Sequence, residues 1–258
     1  MYYNIIIKSM ETDMNNTIKE LYERKSVRAF EDREIEKEEK DAIIGAALQA
    51  PTAGNMTLYT ILDITDEELK KKLSVTCDNQ PFIAEAKMVL IFLADYRRWY
   101  KVFEKHCADV RKPAEGDLFL AQADALIAAQ NAVVAAESLG IGSCYIGDIT
   151  ENYEIHKELL NLPKHVVPAA MVVFGYPTEQ QRSRKKPTRF KAEDIVCENT
   201  YSSEKADRME DMLSYHTGGL SGEELHSWIG RFCKRKWNSE FSKEMSRSCR
   251  EIIKDFCD

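Results

Sequence analysis

The sequence predicts an α/β or α+β sandwich, and three observations carry that reading. Residues 88–94 and 169–175 are continuous apolar runs, the pattern of strands covered on both faces. Residues 118–139 form an Ala-rich stretch at helical length that is apolar nearly all round, so it must be buried on most sides, in the domain centre or against a second subunit. Around these, strand-like and helix-like segments alternate. A chain of 258 residues suits one large domain or two small ones.

Residues 17–25 read as a short helix, with Thr17 as N-cap and Glu20 three positions on in a capping-box pattern. Residues 37–50 form a second helix, with Ile43, Ile44, Ala47 and Leu48 at helical spacing, and Pro51-Thr52-Ala53-Gly54-Asn55 breaks it. Residues 58–65 alternate like a strand, and 66–73 make a short charged helix. Residues 96–116 are mixed and read as irregular. After the long helix, 140–147 is a Gly-punctuated strand ending in a turn, 152–160 a helix, and 180–189 a polar, basic loop. Residues 204–215 and 240–256 read as surface helices joined by a Gly-rich loop and a basic segment. There is no internal repeat.

The formal net charge is −7, which gives no global attraction to nucleic acid or an anionic membrane; an anionic cofactor must be held by local Arg and Lys clusters. The 7 cysteines are odd in number and none are spaced Cys-x-x-Cys, so neither a disulfide framework nor a zinc knuckle is expected. Reduced thiols fit a cytoplasmic protein. Near the N-terminus, Ile5-Ile6-Ile7 is too short for a signal-peptide core and has no basic residue ahead of it, while Met10 and Met14 are alternative starts. The long apolar stretch carries Gln122, Asp124, Gln130, Asn131 and Glu137, which argue against a membrane span.

Two basic clusters stand out. Arg24-Lys25-Ser26-Val27-Arg28 places two guanidinium groups and a hydroxyl within five residues, a set that suits a phosphate or an anionic ring edge, or simply a solvated helix end. Residues 182–189 are a second basic island with the same two readings. Gly140-Ile141-Gly142-Ser143-Cys144-Tyr145-Ile146-Gly147 is no dinucleotide fingerprint, because its glycines begin a strand rather than open a helix. Gly147 would let backbone N–H groups approach a flat ring, or merely allow tight strand packing. The five histidines show no metal-ligand spacing, no nucleophile elbow is present, and no carboxylate pair stands out for acid–base work.

These pieces in this order resemble the nitroreductase family, and its type-A oxygen-insensitive nitroreductase and NAD(P)H–flavin oxidoreductase branch. The resemblance rests on Arg24-Lys25-Ser26-Val27-Arg28-Ala29-Phe30, Ala50-Pro51-Thr52-Ala53-Gly54-Asn55, Asp78-Asn79-Gln80-Pro81-Phe82, Ala128-Ala129-Gln130-Asn131-Ala132, Tyr145-Ile146-Gly147-Asp148, Phe174-Gly175-Tyr176-Pro177, and Lys186 with Arg189. It implies an α+β nitroreductase fold with a central, mainly antiparallel sheet flanked by helices, and an intertwined homodimer with one FMN per subunit. It divides the chain into an extension over 1–16 that need not be ordered, an FMN-binding core over 17–201, and a C-terminal helical extension over 202–258 above the active site. Its residue roles give Arg24, Ser26 and Arg189, with Lys186 nearby, the FMN phosphate and ribityl chain. Arg28 falls beside flavin N1 and O2, Gln80 at the pyrimidine edge, and Gly147 at N5 through its backbone N–H. Thr52 lies in a ribityl-contacting turn with Pro51, Ala53 and Asn55. Lys25, Tyr145, Ile146 and Asp148 complete the implied cofactor-binding set, with Arg28 and Gly147 the catalytic pair and no metal. The chain departs from the resemblance at Asn55-Met56-Thr57-Leu58-Tyr59, where relatives often carry Asn-x-Gln-Pro-Trp, and in spacing Lys186 and Arg189 one residue further apart.

The implied function is a ping-pong oxidoreductase taking hydride from NADH or NADPH to FMN and on to a small-molecule acceptor: a nitroaromatic, a quinone or free flavin. The alternatives are a specialised substrate-modifying flavoenzyme of the same fold, and a flavin-binding redox module without turnover. Residues 209–230 contain no Lys or Arg, and their centre, 217–224, holds three glycines at 218, 219 and 222, so a mobile loop there is expected to discriminate weakly between NADPH and NADH.

Overall fold

The computed structural model describes residues 14–257, and most of the extension expected at 1–16 lies outside them. The chain divides into two compact units: the chain up to Arg184 together with the segment from Glu244, and Lys185–Lys243. The boundary expected at 201/202 falls inside the second unit, and most of the last helix, Glu240–Cys257, belongs with the first.

The first unit is built on four strands, β1 (Tyr59–Asp63), β2 (Met88–Asp95), β3 (Gly142–Ile146) and β4 (Val166–Gly175), in the order β1-β2-β4-β3. All three pairings are antiparallel, which settles the open choice in favour of α+β. β2 and β4 occupy the centre and are buried along their whole length. The two-residue period sends Leu90, Phe92, Val172 and Phe174 to one face and Val89, Ile91, Met171 and Val173 to the other. Ile43 and Ala47 of helix Lys37–Leu48, with Ala125, Ala129 and Val133 of helix Glu115–Ser138, close the first face. Leu73 and Ile83, from helices Glu67–Thr76 and Phe82–Glu85, close the second. A register shift after Phe92 sets Leu93 opposite Pro168, where a central strand accommodates a residue with no N–H to give.

Helix Glu115–Ser138 is long and apolar enough to cross a membrane by composition, but one side of it is core. Its buried carboxylates are partnered. Asp117 receives Arg111 and the Ala114 N–H, and Asp124 receives the N–H groups of Ala53 at 2.9 Å and Leu58 at 3.1 Å. The other side leaves Phe119 68%, Leu120 49%, Leu126 40% and Ile127 41% exposed, so the helix presents apolar side chains to solvent in the single chain, as its composition predicts.

Several local expectations are corrected. The first helix is Asn16–Glu23, and its cap is Asn15, whose extended backbone lets Oδ1 take the Ile18 N–H at 3.0 Å; Thr17 lies inside it. Residues 97–106 are helical, not irregular: Arg97, Arg98, Lys101, Glu104 and Lys105 obscure the packing side chains Trp99 and Phe103 in the sequence. The basic loop opens with a helical turn, Glu179–Ser183. In the second unit the helix expected at 204–215 is two, Ser203–Asp207 and Met209–His216. What read as a Gly-rich loop and basic segment is largely helix Gly222–Lys236, with Glu223 and Glu224 favouring its first turn. Only residues 217–221 connect the two, turning at Gly218 (φ +84°) and Gly219 (φ +104°). The expected long mobile loop at 209–230 is therefore mostly helical, while the absence of Lys and Arg from this stretch is unaffected.

Candidate active site

The Arg24–Phe30 segment is threaded along the sheet by two glycines. The Val27 N–H bonds Ser143 O of β3 at 2.9 Å, and a Cβ at Gly142 would lie 2.6 Å from a Val27 methyl. Further on, Phe30 bridges to Pro177, and a Cβ at Gly175 would strike the Phe30 ring at 2.6 Å. Only glycine at these two positions allows the segment to lie so close.

This threading gathers Arg24, Ser26 and Arg28 beside Cys144 and Tyr145. Burial pushes the Cys144 thiol above its ordinary value, while Arg28, Ser26 and Arg24 oppose the shift from close by. Tyr145 is pushed up to about 12 by burial, against the pull of Arg24. Arg28 is exposed, and its N–H donates to Gln181 Oε1 at 3.3 Å. The Lys25 ammonium bonds the carbonyls of Arg182 and Arg184, both at 2.6 Å, and so pins the turn after helix Glu179–Ser183. Arg184 returns a bond to Ser26 O at 2.5 Å.

Beyond Ile146 the chain enters a 3-10 turn, Gly147–Thr150, closed by Thr150 Oγ1 donating to Gly147 O at 2.9 Å. The segment carrying Gln80 lies alongside, since Asp148 acts electrostatically on Cys77 and Gln80 Nε2 donates to Cys77 O at 2.8 Å. Arg24, Ser26, Arg28, Gln80 and the run Tyr145–Ile146–Gly147–Asp148 therefore form one neighbourhood.

The Pro51–Asn55 turn is elsewhere. It leads into β1, the opposite edge of the sheet from β3, roughly three strand spacings or about 14 Å away. The turn is shaped by Thr52 Oγ1, which accepts the Thr57 N–H at 3.0 Å, and anchored by Asp124 and by Trp99 Nε1 donating to Met56 O at 2.6 Å. Asp124 and Trp99 are positioning residues that sequence reasoning missed; a carboxylate within an apolar helix was the one available signal. Lys186 and Arg189 belong to the second unit.

Two observations test whether this neighbourhood suits a flat, anionic cofactor. Arg24 Nε and Nη2 are buried and meet no hydrogen-bond partner. Guanidinium nitrogens enclosed without an acceptor suit an anion. A Cβ built on Gly147 would meet nothing within 4 Å, so the end of β3 faces open space. Both fit a flat, anionic cofactor such as FMN.

Comparison with known proteins agrees with this geometry. The profile of the Nitroreductase family matches residues 21–176. The chain belongs to the nitroreductase family. Among curated relatives of this family member, "FMN reductase (NADPH)" of Bacillus subtilis is 34% identical over 235 residues, 86% of this chain and 93% of that protein. The "Oxygen-insensitive NADPH nitroreductase" of Salmonella typhimurium is 36% identical over 188 residues, 73% and 75% of the two chains. Among solved structures, the NADPH:FMN oxidoreductase of Vibrio harveyi complexed with NAD+ superposes with a TM-score of 0.76 at 26% identity, covering 93% of this chain and 98% of that one.

Proposed function

We propose that this nitroreductase-family chain is an FMN-dependent oxidoreductase that moves electrons from NAD(P)H to a small-molecule acceptor. The observation that supports its site best is the pair of buried, unmatched Arg24 nitrogens, Nε and Nη2, beside Tyr145 of β3, the strand that leads to the open position at Gly147. Bound FMN would supply the two-electron relay, taking hydride from the nicotinamide and passing it to a nitroaromatic, quinone or free flavin acceptor. Arg24 and Ser26 bind its phosphate side. Arg28 holds a cation where negative charge develops during reduction. On the resemblance, the Gly147 N–H would face the hydride-accepting nitrogen and Gln80 the pyrimidine edge. Lys186 and Arg189 are assigned to the phosphate on resemblance alone. Incubating the FMN-loaded protein with NADPH or NADH and a panel of acceptors tests the activity. Acceptor-dependent oxidation of the nicotinamide is expected; FMN-loaded protein inert toward every acceptor would reduce the chain to a flavin-binding module.

The site is completed by a second copy of the chain in this reading. The Pro51–Asn55 turn lies at the wrong edge to join Arg24 of its own subunit, and the exposed side chains of helix Glu115–Ser138 give a second copy an apolar surface to cover. Light scattering is expected to return twice the chain mass; a folded, FMN-loaded monomer would contradict it.

A further inference from the structure

Glu151 ends the Gly147–Thr150 turn, its N–H donating to Asp148 O at 3.0 Å. Its side chain is 5% exposed, and Oε1 is enclosed without a hydrogen-bond partner. The charged groups facing it come from three segments: Asp148 on the turn itself, Asp78 from the link after helix Glu67–Thr76, and Glu244 at the base of the last helix. All three are carboxylates. Glu244 is held down to about 2, mainly by its hydrogen bond from Arg247, and so is a fixed anion at neutral pH. Arg247 is itself engaged by Glu154 at 2.7 Å and Glu244 at 2.9 Å. From helix Tyr153–Leu159, His156 is buried, and burial lowers its pKa, so it brings no cation at neutral pH. With burial first and then Asp148, Asp78 and Glu244 all disfavouring its charge, the Glu151 carboxyl is pushed up to about 7. A group this enclosed, with an empty acceptor and three carboxylates facing it, is suited to exchange a proton rather than to hold a structural bond.

We propose that Glu151 is a positioning residue for the electrochemistry of the site: a buried carboxyl behind the Gly147 turn that binds a proton as electrons arrive at the flavin and releases it as they leave. The inference rests on the reading that Gly147 meets the hydride-accepting atom. The balance is simple. The nicotinamide delivers two electrons and one proton as hydride, adding one negative charge to the site, and one solvent proton on the Glu151 carboxylate offsets it. When hydride passes to the acceptor, that second proton is free to follow, so the acceptor gains two electrons and two protons. By reciprocity, protonated Glu151 favours the reduced site and ionised Glu151 opposes it. The opposition is absent below the carboxyl's transition and present above it.

The test is redox titration of FMN-loaded protein, wild type against Glu151→Gln, at about pH 5.5 and about pH 8.5. The two should coincide at the lower pH. At the higher, the variant should show roughly a tenfold larger ratio of reduced to oxidised flavin at a fixed solution potential, about 30 mV for a two-electron couple. Wild-type protein labelled with ¹³C-glutamate gives an independent reading: infrared difference spectra near neutral pH should gain an isotope-shifted protonated-carboxyl band on reduction. Superimposable titration curves, or no such band, would overturn the role of Glu151 while leaving the flavin site standing. Failure of the wild type to load FMN would overturn both.

Discussion

Arg24→Ala should weaken FMN binding by roughly 30- to 1,000-fold, the consequence of losing about 2–4 kcal/mol of charge-assisted hydrogen bonding to a phosphate. The apo protein should be no less stable for the change, and this pairing of effects is what makes the test specific. In the chain alone, Arg24 Nε and Nη2 are buried without partners, so the side chain offers the fold an unmatched cation. Removing it deletes a desolvation cost and no hydrogen bond from those two atoms. Arg24→Lys should recover little of the affinity, because a single ammonium cannot reproduce the planar two-nitrogen fork. FMN titration by fluorescence quenching and urea unfolding of the apo protein measure the two halves. An Arg24→Ala protein with wild-type affinity, or one that loses affinity only in proportion to lost stability, would contradict the assignment.

Asp124→Ala should cost about 3–4 kcal/mol of stability, which for a chain of this size lowers the melting temperature by roughly 10 °C. The carboxylate accepts from both Ala53 and Leu58, the two ends of the turn that follows helix Lys37–Leu48, and Leu58 is buried. Alanine leaves both N–H groups without an acceptor. Asp124→Asn should also be damaging: its amide offers one acceptor oxygen, and its NH₂ would confront the other N–H donor. Since total stability is typically about 5–15 kcal/mol, either change removes a large share of it. Because the turn carries Thr52 and Asn55, the variant should also bind FMN more weakly if a second subunit uses that turn. Thermal unfolding of the apo protein decides the first claim; a shift of less than a couple of degrees would mean the two hydrogen bonds are dispensable.

The parts of the fold legible in the sequence were those in which one segment contains its own signal. β2 and β4 are apolar without interruption because helices cover both faces, and they read directly as buried strands. The Arg24–Arg28 cluster and Gly147 each stood out in the sequence, but not as neighbours, since their approach depends on Gly142 and Gly175 admitting Val27 and Phe30. Helix Arg97–His106 was missed because its packing residues are few and its charges many. Helix Gly222–Lys236 was missed because glycines at its start and within it read as breakers, whereas Gly222 sits in the first turn and Gly230 is carried by the residues around it. The carbonyl contacts of Lys25 were not legible for a related reason: its partners are more than 150 positions away. Glu151 could not have been singled out at all. It lies in an ordinary polar stretch, and its burial and its company of carboxylates arise only when the turn, the Asp78 link and the last helix are assembled.

The central claim is that the neighbourhood of Arg24, Arg28 and Gly147 holds FMN poised to take hydride from a nicotinamide. Anaerobic stopped-flow mixing of the FMN-loaded protein with NADPH or NADH, for wild type and Arg28→Ala, tests it most directly. The account predicts rapid bleaching of the flavin absorbance in the wild type. In Arg28→Ala, bleaching should slow by a factor on the order of 10² or more, the scale expected when one charge at the developing anion is removed, with folding unchanged. Wild-type protein that binds FMN and is not bleached by either nicotinamide would contradict the account, and bleaching at an unchanged rate in Arg28→Ala would contradict the role given to that residue.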